Sequence, residues 1–288
     1  MASVLVLIAA HGSGAITSRI AQTARKMGGT LNWLAEGEAC ELDIFERVFE
    51  FGEVLRGLPI DVNLVETSNR RKKLLIADMD STMIHQECID ELGVMAGVGE
   101  HIKDITARAM RGELDFEGAL KERVRLLKGL DESVIDKLLR ERITFMEGGK
   151  TLLATMKANG AYAALVSGGF TVFTSHVATA LGFDENRANT LLIKNGRLTG
   201  EVAMPILGKE AKVESLKRIC IAREISQDEV IAVGDGANDI PMLLEAGMGV
   251  ALHAKPKVQE AAPIVINHGN LTALLYLQGY KKSEFITL

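Results

Sequence analysis

Long apolar runs, long basic tracts and closely spaced cysteine or histidine ligands are all missing from this sequence. Its three cysteines, Cys40, Cys88 and Cys220, stand far apart. They form neither a disulfide framework nor a zinc pattern, which favours a reducing compartment. The six histidines show no ligand spacing and read as surface or core residues. No run approaches the roughly 18 apolar residues of a membrane span. Val4–Ala10 is apolar, but no basic residue precedes it and polar and glycine residues follow at once, so it reads as a strand rather than a signal peptide. The net charge of −5 comes with no basic strip interleaved with aromatics, which argues against a nucleic-acid partner. The expectation is a soluble cytoplasmic protein with no membrane partner. The basic cluster Arg70–Lys73 then reads as a solvated linker.

What is present is ordinary globular material: 288 residues, 47% hydrophobic and 25% charged, enough for two domains or for one with an insertion. Residues 1–68 read as a small unit. Val4–Ala10 is a strand, and Ala15–Met27 has helical spacing closed by Gly28-Gly29. Leu31–Ala35 and Ala39–Ile44 are short strands, and Ile44–Arg56 is a second helix. Ile60–Glu66 alternates Ile60, Val62 and Leu64 with Asp61 and Asn63, a half-buried strand. The order β-α-β-β-α-β is the split ferredoxin-like motif. It resembles the small amino-acid-binding ACT domains; a packing or dimerisation unit without a ligand is the other reading.

From Lys73 the pattern changes. Helical patterns follow one another over Ile89–Ala96, Val98–Met110, Phe116–Leu126 and Glu132–Arg140. Strands then alternate with helices to the end, as in a parallel sheet covered on both faces. Ligands of such sheets sit outside the carboxyl ends of the strands. Three polar loops fall there: Asp78 with Asp80, Ser167-Gly168-Gly169, and Gly234–Met242 with Asp235, Asn238 and Asp239. Each has a plainer reading as turn or cap chemistry, but three on one edge is more than turns require. Two ionised carboxylates ~4 Å apart repel by about 4 kcal/mol at an effective dielectric of ~20. The Asp78–Asp80 pair therefore needs a hard cation such as Mg²⁺, or a proton on one member. Ser167-Gly168-Gly169 reads as the opening of a helix, where N–H groups hold anions. Lys212 is either a solvated helix residue or a phosphate counter-charge.

DMDST (Asp78–Thr82), SGGF (Ser167–Phe170), Lys212 and GDGANDIPM (Gly234–Met242) resemble the four motifs of the haloacid-dehalogenase-like phosphatases. ECIDELG (Glu87–Gly93), MRGELDFEGALKERVRLLKGL (Met110–Leu130), ANTLLIKNGRLTGEV (Ala188–Val202) and HAKP (His253–Pro256) resemble the members that hydrolyse phosphoserine. The resemblance runs from about Lys73 to the C-terminus. It implies an α/β Rossmann-like core over 69–288 with a helical cap insert at about 84–147, behind the ACT-like unit. It implies an enzyme of serine biosynthesis in which Asp78 is the nucleophile and Asp80 the acid and base. Mg²⁺ is held by Asp78, Asp235 and the carbonyl of Asp80. Ser167, Gly168, Lys212 and Asn238 hold the phosphoryl group, and Asp239 supports the metal side. Glu87 meets the substrate ammonium, Arg123 its carboxylate, and Met110 and Phe116 exclude water. Another small phosphomonoester is the alternative substrate, and an amino-acid-sensing regulatory protein is the rival of a different class. A homodimer through the N-terminal unit is a further expectation. AMPILG (Ala203–Gly208) departs from the family pattern.

Overall fold

The computed structural model describes residues 3–43, 48–110 and 113–287, apart from the side chains of Val48 and Met110. The chain opens with β1 (Ser3–Ala9), α1 (Ser18–Lys26), β2 (Leu31–Ala35), β3 (Ala39–Asp43), α2 (Val48–Leu55) and β4 (Ile60–Glu66). The expected start of the second helix at Ile44 lies outside the described residues. The four strands form an antiparallel sheet in the order β2-β3-β1-β4, the split motif the sequence implied. Successive side chains on a strand point to opposite faces, and β1 uses both. Leu7 and Ala9 join Ile20, Ala24 and Phe51 in a small core of their own. Val6 and Ile8 join the main core of the molecule.

Strand β4 inverts the expected pattern. Its polar residues Asp61 and Asn63 are buried, while Val62 and Leu64 are 44% and 57% exposed. The reason is hydrogen bonding across to the C-terminal part of the chain. The Asn63 carboxamide donates to the Val265 carbonyl (2.9 Å) and accepts from its amide (3.0 Å). Arg70–Lys73 is also not a solvated linker. Arg70 pairs with Glu41 (2.5 Å) and donates to the carbonyls of Leu277 (2.6 Å) and Tyr276 (3.3 Å). Lys72 is buried and donates to the Asp228 carbonyl, and Arg71 stacks 4.0 Å from the centre of the Tyr280 ring.

The main sheet begins with β5 (Leu74–Ala77), whose four residues are all buried. Four helices follow: α3 (Cys88–Met95), α4 (Gly99–Met110), α5 (Phe116–Leu126) and α6 (Ser133–Glu141). The chain leaves the core and returns to it through two stems tied by an antiparallel bridge between Ile84 and Phe145. After α7 (Gly149–Ala158) come β6 (Tyr162–Phe170), α8 (Thr171–Leu181) and β7 (Glu185–Asn189). A hairpin of β8 (Leu191–Lys194) and β9 (Arg197–Val202) packs against α5. The remaining elements are α9 (Lys209–Arg223), β10 (Val230–Gly234), α10 (Ile240–Glu245), β11 (Met248–Leu252), α11 (Pro256–Ala261), β12 (Ile264–Ile266) and α12 (Ala273–Leu277).

The six core strands run parallel in the order β12-β11-β10-β5-β6-β7. The chain winds from β5 outward through β6 to β7, then returns to the other side of β5 for β10, β11 and β12. That reversal opens a crevice at the carboxyl ends of β5, β6 and β10. Among the described residues, no helix is long and apolar enough to cross a membrane.

Candidate active site

Asp78 immediately follows β5, and its amide donates to the Val233 carbonyl at the end of β10 (3.0 Å). The residue is 6% exposed. One carboxylate oxygen, Oδ1, accepts from the Met79 amide (2.8 Å) and faces the Lys212 ammonium (2.8 Å). Among the described residues no donor engages Oδ2. The nucleophile expected at this position thus has one anchored oxygen and one free one, at the edge of a cavity of about 450 Å³.

Asp80 lines the same cavity, and its Oδ1 accepts from the amide of Cys88 in the first turn of α3 (3.2 Å). Burial first, then the charges of Glu87 and Asp78, push its carboxyl up to about 8. Ser81 adopts the left-handed region (φ 55°), uncommon for a residue with a Cβ. That turn aims its hydroxyl at Glu87 Oε1 (2.9 Å). Burial also raises the Glu87 carboxyl, and the charges of Asp235 and Asp78 add to it against the Ser81 bond.

Ser167-Gly168-Gly169 sits differently from expectation. It forms the end of β6, and the helix cap is Phe170, so these residues precede the helix rather than open it. The Ser167 hydroxyl accepts from the Gly169 amide (2.9 Å). A Cβ at Gly169 would lie 2.9 Å from Asp80 Oδ2, so only glycine lets this backbone approach the acid so closely. Asn189 Nδ2 donates to the Gly168 carbonyl (2.9 Å) and the Leu207 carbonyl (3.2 Å), and its Oδ1 accepts from the Leu207 amide (2.7 Å). The AMPILG segment is thereby clamped against the β6 loop. A Cβ at Gly208 would meet the Phe116 ring at 3.6 Å, so the segment backs this cap residue.

Lys212 is 1% exposed on α9, between Asp78 and Asp239. Burial opposes its charge, but these two carboxylates outweigh that and hold the ammonium above its ordinary range. Asp239 is fully buried; its Oδ1 takes the Lys212 proton contact and its Oδ2 accepts from the Gly236 amide (2.9 Å). Burial and the Asp78 charge raise the Asp239 carboxyl, and Lys212 pulls it back. Asp235 accepts from the Thr82 hydroxyl at 3.1 Å; burial, then Asp78, raises its carboxyl too.

Carboxylate oxygens of Asp78, Asp235 and Asp239 lie within 4.8 Å of one another. Three buried carboxylates with one adjacent ammonium leave negative charge uncompensated, and hard oxygen donors suit a hard cation. Asp78 and Asp235 line the cavity while Asp239 does not, and both Asp239 oxygens are already bonded. The donors of this cluster left open to the cavity, which could hold a cation, are therefore Asp78 and Asp235, while Asp239 is the counter-ion of Lys212.

The cavity brings together most of the expected site. Asp78, Asp80, Glu87, Phe116, Arg123, Ser167, Gly168, Asp235 and Asn238 all line it, and Lys212 lies directly behind Asp78. Arg123 donates to the Ala119 carbonyl (3.2 Å). Burial lowers the hold on its proton, and the charges of Asp90, Glu87 and Asp80 support it. The side chain of Met110 lies outside the described residues. The site also draws on residues outside the expected set, among them Ser81, Thr82, Asp90, Asn189 and Lys255. Asp90 lies in the first turn of α3, whose N-cap is Glu87, and both line the cavity. Lys255 belongs to the HAKP stretch and lines the cavity.

The family model for haloacid dehalogenase-like hydrolases matches residues 75–244. A phosphoserine phosphatase of Streptomyces coelicolor is 43% identical over 228 residues, which is 79% of this chain and 55% of that protein. The chain thus spans little more than half the length of that relative. A probable phosphoserine phosphatase from Vibrio cholerae, solved unliganded, superposes with a TM-score of 0.83 at 32% identity, covering 98% of this chain and 88% of that one. A phosphoserine phosphatase solved as a phospho-aspartyl intermediate analogue is 42% identical with a TM-score of 0.67, covering 72% of this chain and 98% of that one.

Proposed function

The chain belongs to the haloacid dehalogenase-like hydrolases, and we propose that it is an Mg²⁺-dependent phosphoserine phosphatase releasing L-serine and phosphate through an aspartyl-phosphate. The observation that carries this reading is the free Oδ2 of Asp78 in a cavity that Glu87 and Arg123 of the cap also line. A carboxylate and a guanidinium beside a phosphoryl site suit a zwitterionic amino acid ester.

Asp78 Oδ2 attacks phosphorus, and the bond from phosphorus to the serine oxygen breaks. Asp80, whose carboxyl is pushed up to about 8 by burial and the charges of Glu87 and Asp78, gives its proton to the departing oxygen. It then takes a proton from the water that attacks the phosphorus of the aspartyl-phosphate, which frees phosphate and restores Asp78. Ser167, the Gly168 main chain, Asn238 and Lys212 hold the phosphoryl oxygens, where positioning and charge supply most of the rate. Asp78, Asp235 and the Asp80 carbonyl would hold Mg²⁺, which would supply charge compensation at the phosphoryl group. Glu87 binds the ammonium and Arg123 the carboxylate, and Phe116 with Met110 keeps water out.

The same reading divides the chain into an ACT-like unit, 1–68, and a phosphatase unit, 69–288, with the cap at about 84–147. It places the protein in the cytoplasm. Exposed Phe49, Val62 and Leu64 of the N-terminal unit support a homodimer through that unit. The test is phosphate release from L-phosphoserine with and without Mg²⁺, beside Asp78→Asn. Release that needs both the metal and Asp78 is expected; hydrolysis of other phosphomonoesters but not phosphoserine would discard the roles of Glu87 and Arg123.

A further inference from the structure

Asp61, on β4 of the N-terminal unit, is 6% exposed and lies outside the catalytic cavity. Its carboxylate accepts from three consecutive amides of one loop. Oδ1 takes Asn267 (2.8 Å) and His268 (3.2 Å); Oδ2 takes His268 (3.0 Å) and Gly269 (2.8 Å). Charge-assisted bonds to successive amides fix a loop more firmly than neutral ones. The next residues of that loop run straight to the base of the cap. Asn270 Oδ1 accepts from the amide (2.9 Å) and hydroxyl (2.7 Å) of Thr272. The Leu271 amide donates to the Glu147 carbonyl (3.1 Å). Gly148, at φ +83°, is so close that a Cβ would lie 2.8 Å from the Thr272 amide. Leu271 and Met83 both press on Gly149, each 3.4 Å from where its Cβ would be. The returning stem is bonded in turn to the outgoing one: Met146 N–H to the Met83 carbonyl (2.9 Å) and His85 N–H to the Thr144 carbonyl (3.1 Å).

We propose that Asp61 is a positioning residue for the cap: from the N-terminal unit it fixes the 267–272 loop, which sets the two stems and hence the placing of Glu87 and Arg123. Asn63, two residues along the same strand, provides an internal contrast. Among the described residues its side-chain hydrogen bonds go to Val265 on β12, not to the loop amides that Asp61 holds. The kinetic arm of the test rests on the phosphoserine reading; the exchange arm does not.

The experiment compares the full chain with Asp61→Asn, Asn63→Ala and Asn270→Ala. Amide hydrogen exchange is followed at His85, Met146 and Leu271, with KM for phosphoserine and kcat for p-nitrophenyl phosphate. Asp61→Asn keeps the shape but turns one acceptor into a donor facing an N–H. It is expected to speed exchange at the three amides by about tenfold. It should also raise KM for phosphoserine about tenfold, with the aryl phosphate kcat unchanged within about twofold. Asn270→Ala breaks the same route without touching the N-terminal unit and is expected to give the same pattern, so a failure of Asp61→Asn to fold does not shield the proposal. Asn63→Ala is expected to lower global stability and leave the stem amides alone. Unchanged exchange in the first and third variants, or equal acceleration in all three, overturns the proposal. Faster exchange with an unchanged KM overturns the link to substrate. A wild-type chain silent on phosphoserine refutes the substrate reading and leaves the exchange result to decide this one.

Discussion

Replacing Asp239 by Asn removes one charge from a buried triad whose balance can be worked out. Lys212 sits 2.8 Å from Asp78 Oδ1 and forms a still closer contact with Asp239. At an effective dielectric of ~20, a pair at such a distance attracts by about 6 kcal/mol. Asp239 also repels Asp78, with carboxylate oxygens within 4.8 Å, which offsets about 3 kcal/mol on the same scale. An asparagine must in addition present its NH₂ either to the Lys212 ammonium or to the Gly236 amide. Leaving one buried donor without an acceptor costs about 1–3 kcal/mol. Asparagine also relieves the burial of one charge, the largest influence on the Asp239 carboxyl, so the expected loss is about 3 kcal/mol, at the low end for breaking a buried ion pair. Urea unfolding of the metal-free protein measures it. The single remaining counter-ion of Lys212 is then Asp78, so kcat should fall at least about tenfold as the lysine turns from the phosphoryl group to the nucleophile. A loss below about 1 kcal/mol, with kcat intact, would mean that Asp78 alone satisfies the lysine and that Asp239 is not its counter-ion.

Arg123→Ala should raise KM for phosphoserine by about 10- to 100-fold, the worth of a bidentate charged contact, and spare p-nitrophenyl phosphate; equal effects on both would remove Arg123 from substrate selection. The Asp80 carboxyl ionises near its ordinary 3.8 in the unfolded chain and at about 8 in the folded one. The folded state therefore holds the extra proton across that window, and the stability of the metal-free protein should fall as pH rises from 4 to 8. In Asp80→Asn that decline should be shallower, and parallel curves from pH-dependent melts would refute the shifted carboxyl. Arg70→Ala leaves the half-buried Glu41 with the Asn32 amide but without its counter-ion, and frees the carbonyls of Leu277 and Tyr276. It should cost about 3 kcal/mol or more in denaturant unfolding, whereas a solvated linker arginine would cost almost nothing.

The parts of the fold that were legible in the sequence are those whose signal is local. Leu74–Ala77 running into Asp78, and Val230–Val233 running into Asp235, are apolar strands ending in acids, and parallel pairing puts both ends on one crevice. The four cap helices kept their 3.6-residue spacing, and α5 begins at Phe116 because Asp115 accepts from the Gly118 amide at 2.7 Å. What stayed hidden is set by partners distant in the chain. The β8–β9 hairpin and β12 are too short to carry a period, and they exist through α5 and β11. Ser167–Gly169 reads locally as a helix start, yet pairing with β7 extends β6 to Phe170. Lys72 and Arg70 look solvated until the carbonyls of Asp228 and Leu277 arrive from more than 150 residues away. Strand β4 is the clearest instance, because alternation fixes two faces but cannot say which is covered. Burying the apolar face would have been the cheaper choice by transfer free energy alone. The opposite face is covered because Asp61 and Asn63 find main-chain partners on a loop and an edge strand more than 200 residues away. A polar residue fully satisfied in this way costs little to bury, and β12 gains protection for a bare sheet edge. The inversion is thus a sign that the N-terminal unit is built to hold this edge and the loop beyond it.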